Sequence, residues 1–350
     1  MRPHSYAAGA LLGILPPASV AVLIAVRTEE MPRVVGVWPL LAALGISVVT
    51  WWLQGLIYAV LARPQLKNLR VGDMFRVDMA GMFVALISPI RGAELPYKVY
   101  LLKRLGLSAG EGSNVVVTRV LLDVAILTPA ALVGLPLYSK LPEVQDLNLL
   151  FVGSVATVTA VALFVRRRVR AGNRTTRLSG SGWQAQAVAK ISGFLRDLRL
   201  SFASYWRPGH RATLVYAAAL TTVYWVFRLS AGPLALMAAG WSGDWLPVIV
   251  AQLLLISFVL PFAPTPGGSG ARELGLAALL SGYVPEGELL SGLIIYTALS
   301  HWLPLIAGAF FAARPLWQGI RRRGQGRKTA DRGGRRESRG AAVPARLYNG

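Results

Sequence analysis

The sequence predicts an all-α polytopic membrane protein with about seven spanning or near-spanning helices and two broken-helix hairpins of opposite orientation. Of its 350 residues, 54% are hydrophobic and 15% are charged, whereas soluble proteins carry about 25% charged residues. Apolar runs long enough to cross a bilayer, about 20 residues each, recur along the chain. Each half also contains a Pro/Gly interruption that is followed by a glutamate.

Seven apolar runs are expected to be membrane segments. They are residues 7–26, 37–62, 112–136, 147–165, 212–239, 245–262 and 289–312. The first run is interpreted as a retained helix, because it exceeds the roughly 7–15 apolar residues of a signal peptide and no small-residue cleavage site follows it. Two further stretches, 74–106 and 263–283, are apolar but interrupted.

The distribution of positive charge predicts the topology. Of the 37 Lys and Arg residues, 11 lie in residues 166–211 and 11 in residues 314–346. Such juxtamembrane clusters indicate cytoplasmic loops that attract anionic lipid headgroups, so the net charge of +21 does not require nucleic acid. We expect both termini in the cytoplasm and a basic cytoplasmic loop at 166–211. The Arg/Gly-rich tail, 318–350, is expected to be disordered.

This topology makes the interrupted stretches into hairpins. Residues 74–106 must begin and end on the cytoplasmic side, and residues 245–283 must begin and end outside. One re-entrant hairpin therefore enters from each face, which predicts an inverted repeat.

The two breaks share their chemistry. The first contains Pro89, Gly92 and Glu94. The second contains the residues Pro266, Gly267, Gly268, Gly270 and Glu273. Broken helices in corresponding positions of opposed halves are typical of a transporter's central site. The alternative is two kinked helices with glycines at tight crossings, although a kink alone does not explain an acid after each break.

Several other ionisable residues lie at membrane depth, where they are costly and often functional. Arg119 and Asp123 are four residues apart and can pair on one helix face, and the alternative is that this pair only permits insertion. Arg228 and His301 interrupt apolar helices, with interfacial or structural roles as the alternative. A cationic cavity that binds phosphate could be built from Arg91, Lys98, Arg119, Arg228 and Arg272. Glu94 and Glu273 would pair with such cations in the empty state.

Catalytic and metal-binding motifs are absent from the sequence. It contains no cysteine, and its three histidines are widely separated, so no metal, cofactor or catalytic constellation is expected.

The segments 87–102 and 264–273, together with Arg119 and Asp123, resemble the flippase-like membrane domain of lysylphosphatidylglycerol synthases. The resemblance spans residues 10–312 and also covers stand-alone members of the family. It implies a flippase-like domain over residues 1–317. Nothing foldable follows Trp317, so the aminoacyltransferase activity is not carried over. The chain departs from the family at Lys98, where an arginine is frequent at a slightly different spacing, and at Tyr296-Thr297, where a Tyr-Arg pair is frequent.

The leading hypothesis is a translocase, not an enzyme, in a bacterial or archaeal cell membrane. It would move a polar-headed phospholipid or glycolipid, anionic or isoprenoid-linked, between leaflets. One alternative is a membrane-embedded enzyme that modifies lipid headgroups, with Glu94, Glu273 or His301 as general base. Another is an accessory subunit that positions a partner transferase.

Overall fold

The fold was analysed in a computed structural model that describes residues 33–66, 69–88, 92–138, 211–260, 263 and 265–312. These residues form helices and short turns, with no strand among them. The helices are α1 (Val37–Ala62), α2 (Val71–Ile87), α3 (Glu94–Arg104), α4 (Ala109–Tyr138), α5 (Arg211–Ala238), α6 (Trp245–Leu254), α7 (Ala271–Leu280) and α8 (Glu286–Thr297). Two π-helical segments extend α6 and α8, at Leu255–Val259 and Ala298–Trp302, and α8 then continues to Ala312.

Four helices in this part of the chain are long and apolar enough to cross a membrane: Val37–Ala62, Ala109–Gly134, Arg211–Ala238 and Glu286–Ala312. They correspond to four of the predicted runs. The expected helices at 7–26 and 147–165, the tail 318–350 and the basic loop 166–211, apart from Arg211, lie outside the described residues. The run at 245–262 is shorter than predicted, because its helix ends at the second break as the limb of a hairpin.

Both interrupted stretches form a longer helix, a break and a shorter helix. In the first, α2 is followed by α3; in the second, α6 with its π-helical extension is followed by α7. Gly92 has φ +85°, and Gly267, Gly268 and Gly270 have φ between +60° and +80°. Side chains disfavour this region of backbone space, which explains why glycine occupies the breaks.

The helices enclose two apolar cores, one towards each end of α4 and α5. The first core contains Val115 and Val116 of α4 together with α2, α3 and the end of α1. The second contains Leu127 and Ala131 of α4 together with α6, α7 and the first half of α8. Each hairpin therefore packs into a different core. This arrangement agrees with hairpins placed at opposite ends of the molecule, and the inverted repeat itself stays a prediction.

A proline in α5 is compensated by a side chain from the second hairpin. Pro233 has no backbone N–H, so the carbonyl of Leu229, four residues earlier, lacks its usual helical donor. Gln252 of α6 donates from Nε2 to that carbonyl at 2.9 Å. Gly232 makes room for the amide, because a Cβ at this position would lie 2.4 Å from Nε2.

The first hairpin crosses α8 at a glycine. A Cβ on Gly308 would lie 2.7 Å from the carbonyl oxygen of Met79 and 2.9 Å from Cβ of Phe83, both in α2. The backbones of the two helices therefore approach as closely as small residues allow.

This crossing predicts opposite effects for two Gly→Ala substitutions in spanning helices. Gly308→Ala should lower the melting temperature of the purified protein in detergent, because overpacking typically costs about 1–3 kcal/mol. Gly45→Ala in α1 is the matched control: its Cβ meets nothing within 4 Å among the described residues, and alanine favours a helix. Equal melting temperatures for the two variants would contradict the crossing.

Candidate functional site

A buried ion pair joins the two limbs of the first hairpin. The ammonium of Lys98 in α3 lies 2.9 Å from Oδ1 of Asp78 in α2, and the two side chains are 8% and 1% exposed. An ion removed from water is very costly unless it is paired. The pair therefore fixes how α3 lies against α2 after the break.

Two neighbours hold Lys98 in place. Its Nζ donates to the hydroxyl of Tyr58 at 3.4 Å and lies 5.2 Å from the centre of the Tyr58 ring. Its stem packs over Gly81, where a Cβ would lie 2.3 Å from Cε of Lys98. Gly81 thus admits the lysine, and Tyr58 links the hairpin to α1.

A second pair continues this polar region along α4. Arg119 donates to Asp123, as the four-residue spacing predicted, and also donates from Nε to Oε1 of Gln54 at 2.9 Å. Asp123 accepts a second hydrogen bond, from the indole of Trp225 at 2.6 Å. These contacts join α1, α4 and α5 at the level between the two apolar cores.

The charges act on one another across the whole group. Lys98, Asp78 and Arg119 interact electrostatically with Tyr58, and Arg119, Asp123, Asp78 and Arg228 do so with Tyr224. We call Asp78, Lys98, Tyr58, Arg119 and Asp123 the polar cluster. Its two cations and two anions sum to zero charge.

Some buried polar atoms beside these pairs have no hydrogen-bond partner in the part of the chain that the structure describes. They are Oδ2 of Asp78, Nη2 of Arg119 and Nδ2 of Asn114. Unsatisfied buried polar groups are uncommon and call for an explanation. An unused carboxylate oxygen and an unused guanidinium nitrogen in one cluster are the groups that a polar ligand or water would engage.

The acid after the second break is bound by hydrogen bonds. Glu273 lies in the first turn of α7, where its Oε2 accepts from the N–H of Gly270 at 2.6 Å and its Oε1 accepts from Thr297 at 3.0 Å. The first of these bonds caps the exposed N–H groups of the helix start. Among the described residues, the partners of Glu273 are thus the helix cap and Thr297, and no cation lies at ion-pair distance from it.

The second break packs onto α8 and onto the first hairpin. Arg272 donates to Ser300 at 3.1 Å and to the carbonyl of Gly267 at 2.8 Å. A Cβ on Gly267 would lie 2.7 Å from Leu86 of α2 and 3.4 Å from the buried ring of His301. The second break thus contacts α2 near its end, at the apolar side chain of Leu86.

The structure separates the predicted site residues into two groups. Lys98, Arg119 and Asp123 lie in the polar cluster, with Arg228 one turn beyond Tyr224 and Glu94 near enough to Lys98 to interact with it. The residues Gly267, Gly268, Gly270, Arg272, Glu273 and His301 lie at the second break, where Pro266 begins the turn. Gly92 precedes α3. Pro89 and Arg91 lie outside the described residues. Lys98 pairs with Asp78 and not with Glu94, while Arg272 bonds Ser300 in the extension of α8 and the carbonyl of Gly267 in the second break. The single cationic cavity stays a prediction.

Comparison with known proteins identifies the family. The family described as lysylphosphatidylglycerol synthase TM region matches residues 7–308. The chain belongs to this family. It is also 24% identical over 266 residues to a UPF0104 membrane protein of Archaeoglobus fulgidus, a match that covers 71% of this chain and 78% of the relative.

Sequence reasoning missed several residues that build the site of this family member. Asp78 was detectable, because it interrupts an apolar helix one turn before Gly81, and the rule that selected Arg119 applies to it equally. Gln54, Tyr58 and Trp225 gave no comparable signal, since uncharged polar and aromatic residues are ordinary in membrane helices. Thr297 stands where the family frequently has an arginine, and here it bonds Glu273.

The Asp78–Lys98 pair predicts strong coupling in a double-mutant cycle. Lys98→Met leaves a buried carboxylate without its cation, and breaking a buried pair in this way typically costs about 3–5 kcal/mol. Asp78→Asn combined with Lys98→Met should recover most of that loss in denaturation of the protein in detergent. Arg76→Met, which breaks an exposed pair with Asp73, should change little. A double variant as unstable as Lys98→Met would refute the pairing.

The cap at α7 predicts that shape and hydrogen bonding matter at Glu273 more than charge. Glu273→Gln keeps an oxygen for the N–H of Gly270 and an amide for Thr297, so its melting temperature should stay close to wild type. Glu273→Leu leaves the Gly270 donor unpaired, which costs about 1–3 kcal/mol. Glu286→Leu, at an exposed first-turn glutamate of α8, is the control. Equal losses for Glu273→Gln and Glu273→Leu would argue for the charge.

Proposed function

We propose that this protein moves a phosphate-bearing lipid between the two leaflets of a cell membrane, with the headgroup passing through the polar cluster. The observation that carries the proposal is a set of buried ions with unused polar atoms between two apolar cores. Ions at this depth are expensive to maintain. A set of ions that also has unused polar atoms is better explained by a polar ligand than by packing.

The chemistry of the cluster suits a phosphate. A guanidinium matches two phosphate oxygens with a pair of parallel N–H donors, and Nη2 of Arg119 is available for one of them. Lys98 adds an ammonium in the same cluster. Acyl chains, which gain nothing from leaving the bilayer, would stay among the lipids while the headgroup is carried.

The position of the cluster supports passage rather than simple binding. Lys98 and Tyr58, then Arg119 with Gln54, then Asp123 with Trp225 follow one another along the helices, and Arg228 lies a further turn along α5. Polar groups one turn apart are spaced by about 5.4 Å. A headgroup could therefore exchange partners stepwise along the seam of α1, α4 and α5.

A leaflet-exchange assay tests the proposal. The protein is reconstituted into vesicles that contain phosphatidylglycerol or a polyisoprenyl phosphate, each labelled on its apolar part with a fluorophore that an external reductant quenches. Wild type should raise the quenched fraction from the outer-leaflet share towards completion. Arg119→Gln, which removes the phosphate fork, should slow this exchange at least tenfold.

Arg76→Gln is the matched control, since Arg76 is an exposed arginine of the first hairpin and should leave the exchange rate unchanged. Reconstitution is checked by recovered protein and melting temperature. If neither labelled lipid crosses faster than in protein-free vesicles, or if Arg119→Gln matches wild type, the proposal is wrong.

A further inference from the structure

One carboxylate of the polar cluster is fully buried but has few hydrogen-bonding and ion-pair partners. Asp78 is 0% exposed and has a single cation at ion-pair distance, Lys98, while its Oδ2 has no donor among the described residues. Asp123, by contrast, has both Arg119 and Trp225. The ionised form of Asp78 is therefore supported by Lys98 alone among the described residues. That of Asp123 is supported by two partners.

Lys98 has a second partner, Tyr58, whose contact does not involve Asp78. The hydroxyl and the ring face of Tyr58 both contact its ammonium. The lysine can thus turn from Asp78 towards an incoming anion while Tyr58 keeps it in the cluster. Among the described residues, Asp78 has no equivalent alternative.

When Lys98 turns towards an anion, the charge balance of the cluster determines which other change is needed. The two cations and two anions sum to zero, and a monoanionic headgroup phosphate would leave one net negative charge beside the buried carboxylate of Asp78. A buried carboxylate without a cation binds a proton instead of staying ionised. One proton restores the balance without any other change in the cluster.

We infer that Asp78 takes up a proton when Lys98 shifts to a headgroup phosphate, so that an anionic lipid and a proton occupy the cluster together. The inference rests on the proposed function and adds a second ligand, the proton, at the same site. The proton comes from the aqueous phase and bonds to a carboxylate oxygen of Asp78. Lys98 keeps its own proton and its charge.

Other titratable groups surround Asp78 but are less suited to this role. Lys98 pairs with it, and Tyr58 on α1 and Tyr224 on α5 interact with it electrostatically. Arg119 on α4 and Glu94 on α3 act on the same Tyr58, and His301 on α8 lies beside Gly267, close to Leu86 of α2. Arg119 keeps its proton at any physiological pH. Glu94 is partly exposed and has no ion pair with Lys98, so its charge does not depend on where Lys98 lies.

Calorimetry of lipid binding tests the inference. Dihexanoyl phosphatidylglycerol is titrated into the full-length protein in detergent, in two buffers of equal pH but different ionisation enthalpy. The difference in measured heat gives the number of protons bound per lipid. Wild type should take up close to one proton, and Asp78→Asn should bind the lipid with no proton uptake.

Asp73→Asn is the matched control, because Asp73 lies five residues earlier on the same helix in an exposed pair; its proton uptake should equal that of wild type. A second measurement needs no variant: difference infrared spectra of the wild type should gain the carbonyl stretch of a protonated carboxylic acid when the lipid binds. Lipid binding without proton uptake, or uptake that persists in Asp78→Asn, overturns the inference alone. Absence of binding overturns the inference, and the proposed function falls with it only if neither labelled lipid crosses in the exchange assay.

Discussion

The ion pair between Asp78 and Lys98 closes the first hairpin at a depth where neither charge is stable alone. Asp78 lies before the break and Lys98 after it, so their attraction folds the chain back on itself and positions α3. Gly81 makes room for the lysine stem, and Tyr58 extends the contact to α1. Beyond Tyr58, Arg119 bonds Gln54 of α1 and Asp123, and Asp123 accepts from Trp225 of α5. These contacts tie α1, α4 and α5 together in this region.

The two halves share an architecture and differ in chemistry. Each has a longer limb, a break that contains glycine with positive φ and a shorter limb, and each packs into its own apolar core. The first hairpin joins its limbs through an ion pair, Asp78–Lys98. The second uses hydrogen bonds to neutral groups, through Glu273 at the start of α7 and Gln252 at the carbonyl that Pro233 leaves free.

Much of the fold follows from hydropathy and charge, because bilayer length and the position of arginines constrain helices directly. The four long helices, both breaks and the Arg119–Asp123 pair were predictable on these grounds. The partners of Lys98 and Glu273 were not. Local sequence places Glu94 one turn from Lys98, yet the lysine reaches Asp78 across the break, and such a contact depends on how the limbs cross at Gly81. Likewise, a glutamate after a break has the same sequence signature whether it caps a helix, as Glu273 does, or pairs with a cation.

The neutrality of the polar cluster has a consequence for energetics. Moving one elementary charge across a membrane potential of 100 mV involves about 2.3 kcal/mol, so a carrier that moved a bare phosphate would work with or against that voltage. Here a headgroup accompanied by a proton would cross with no net charge. The voltage would then do no work on the step, and the direction of movement would follow the pH difference and the lipid content of the two leaflets. Such a carrier would run at the same rate in a polarised and a depolarised cell.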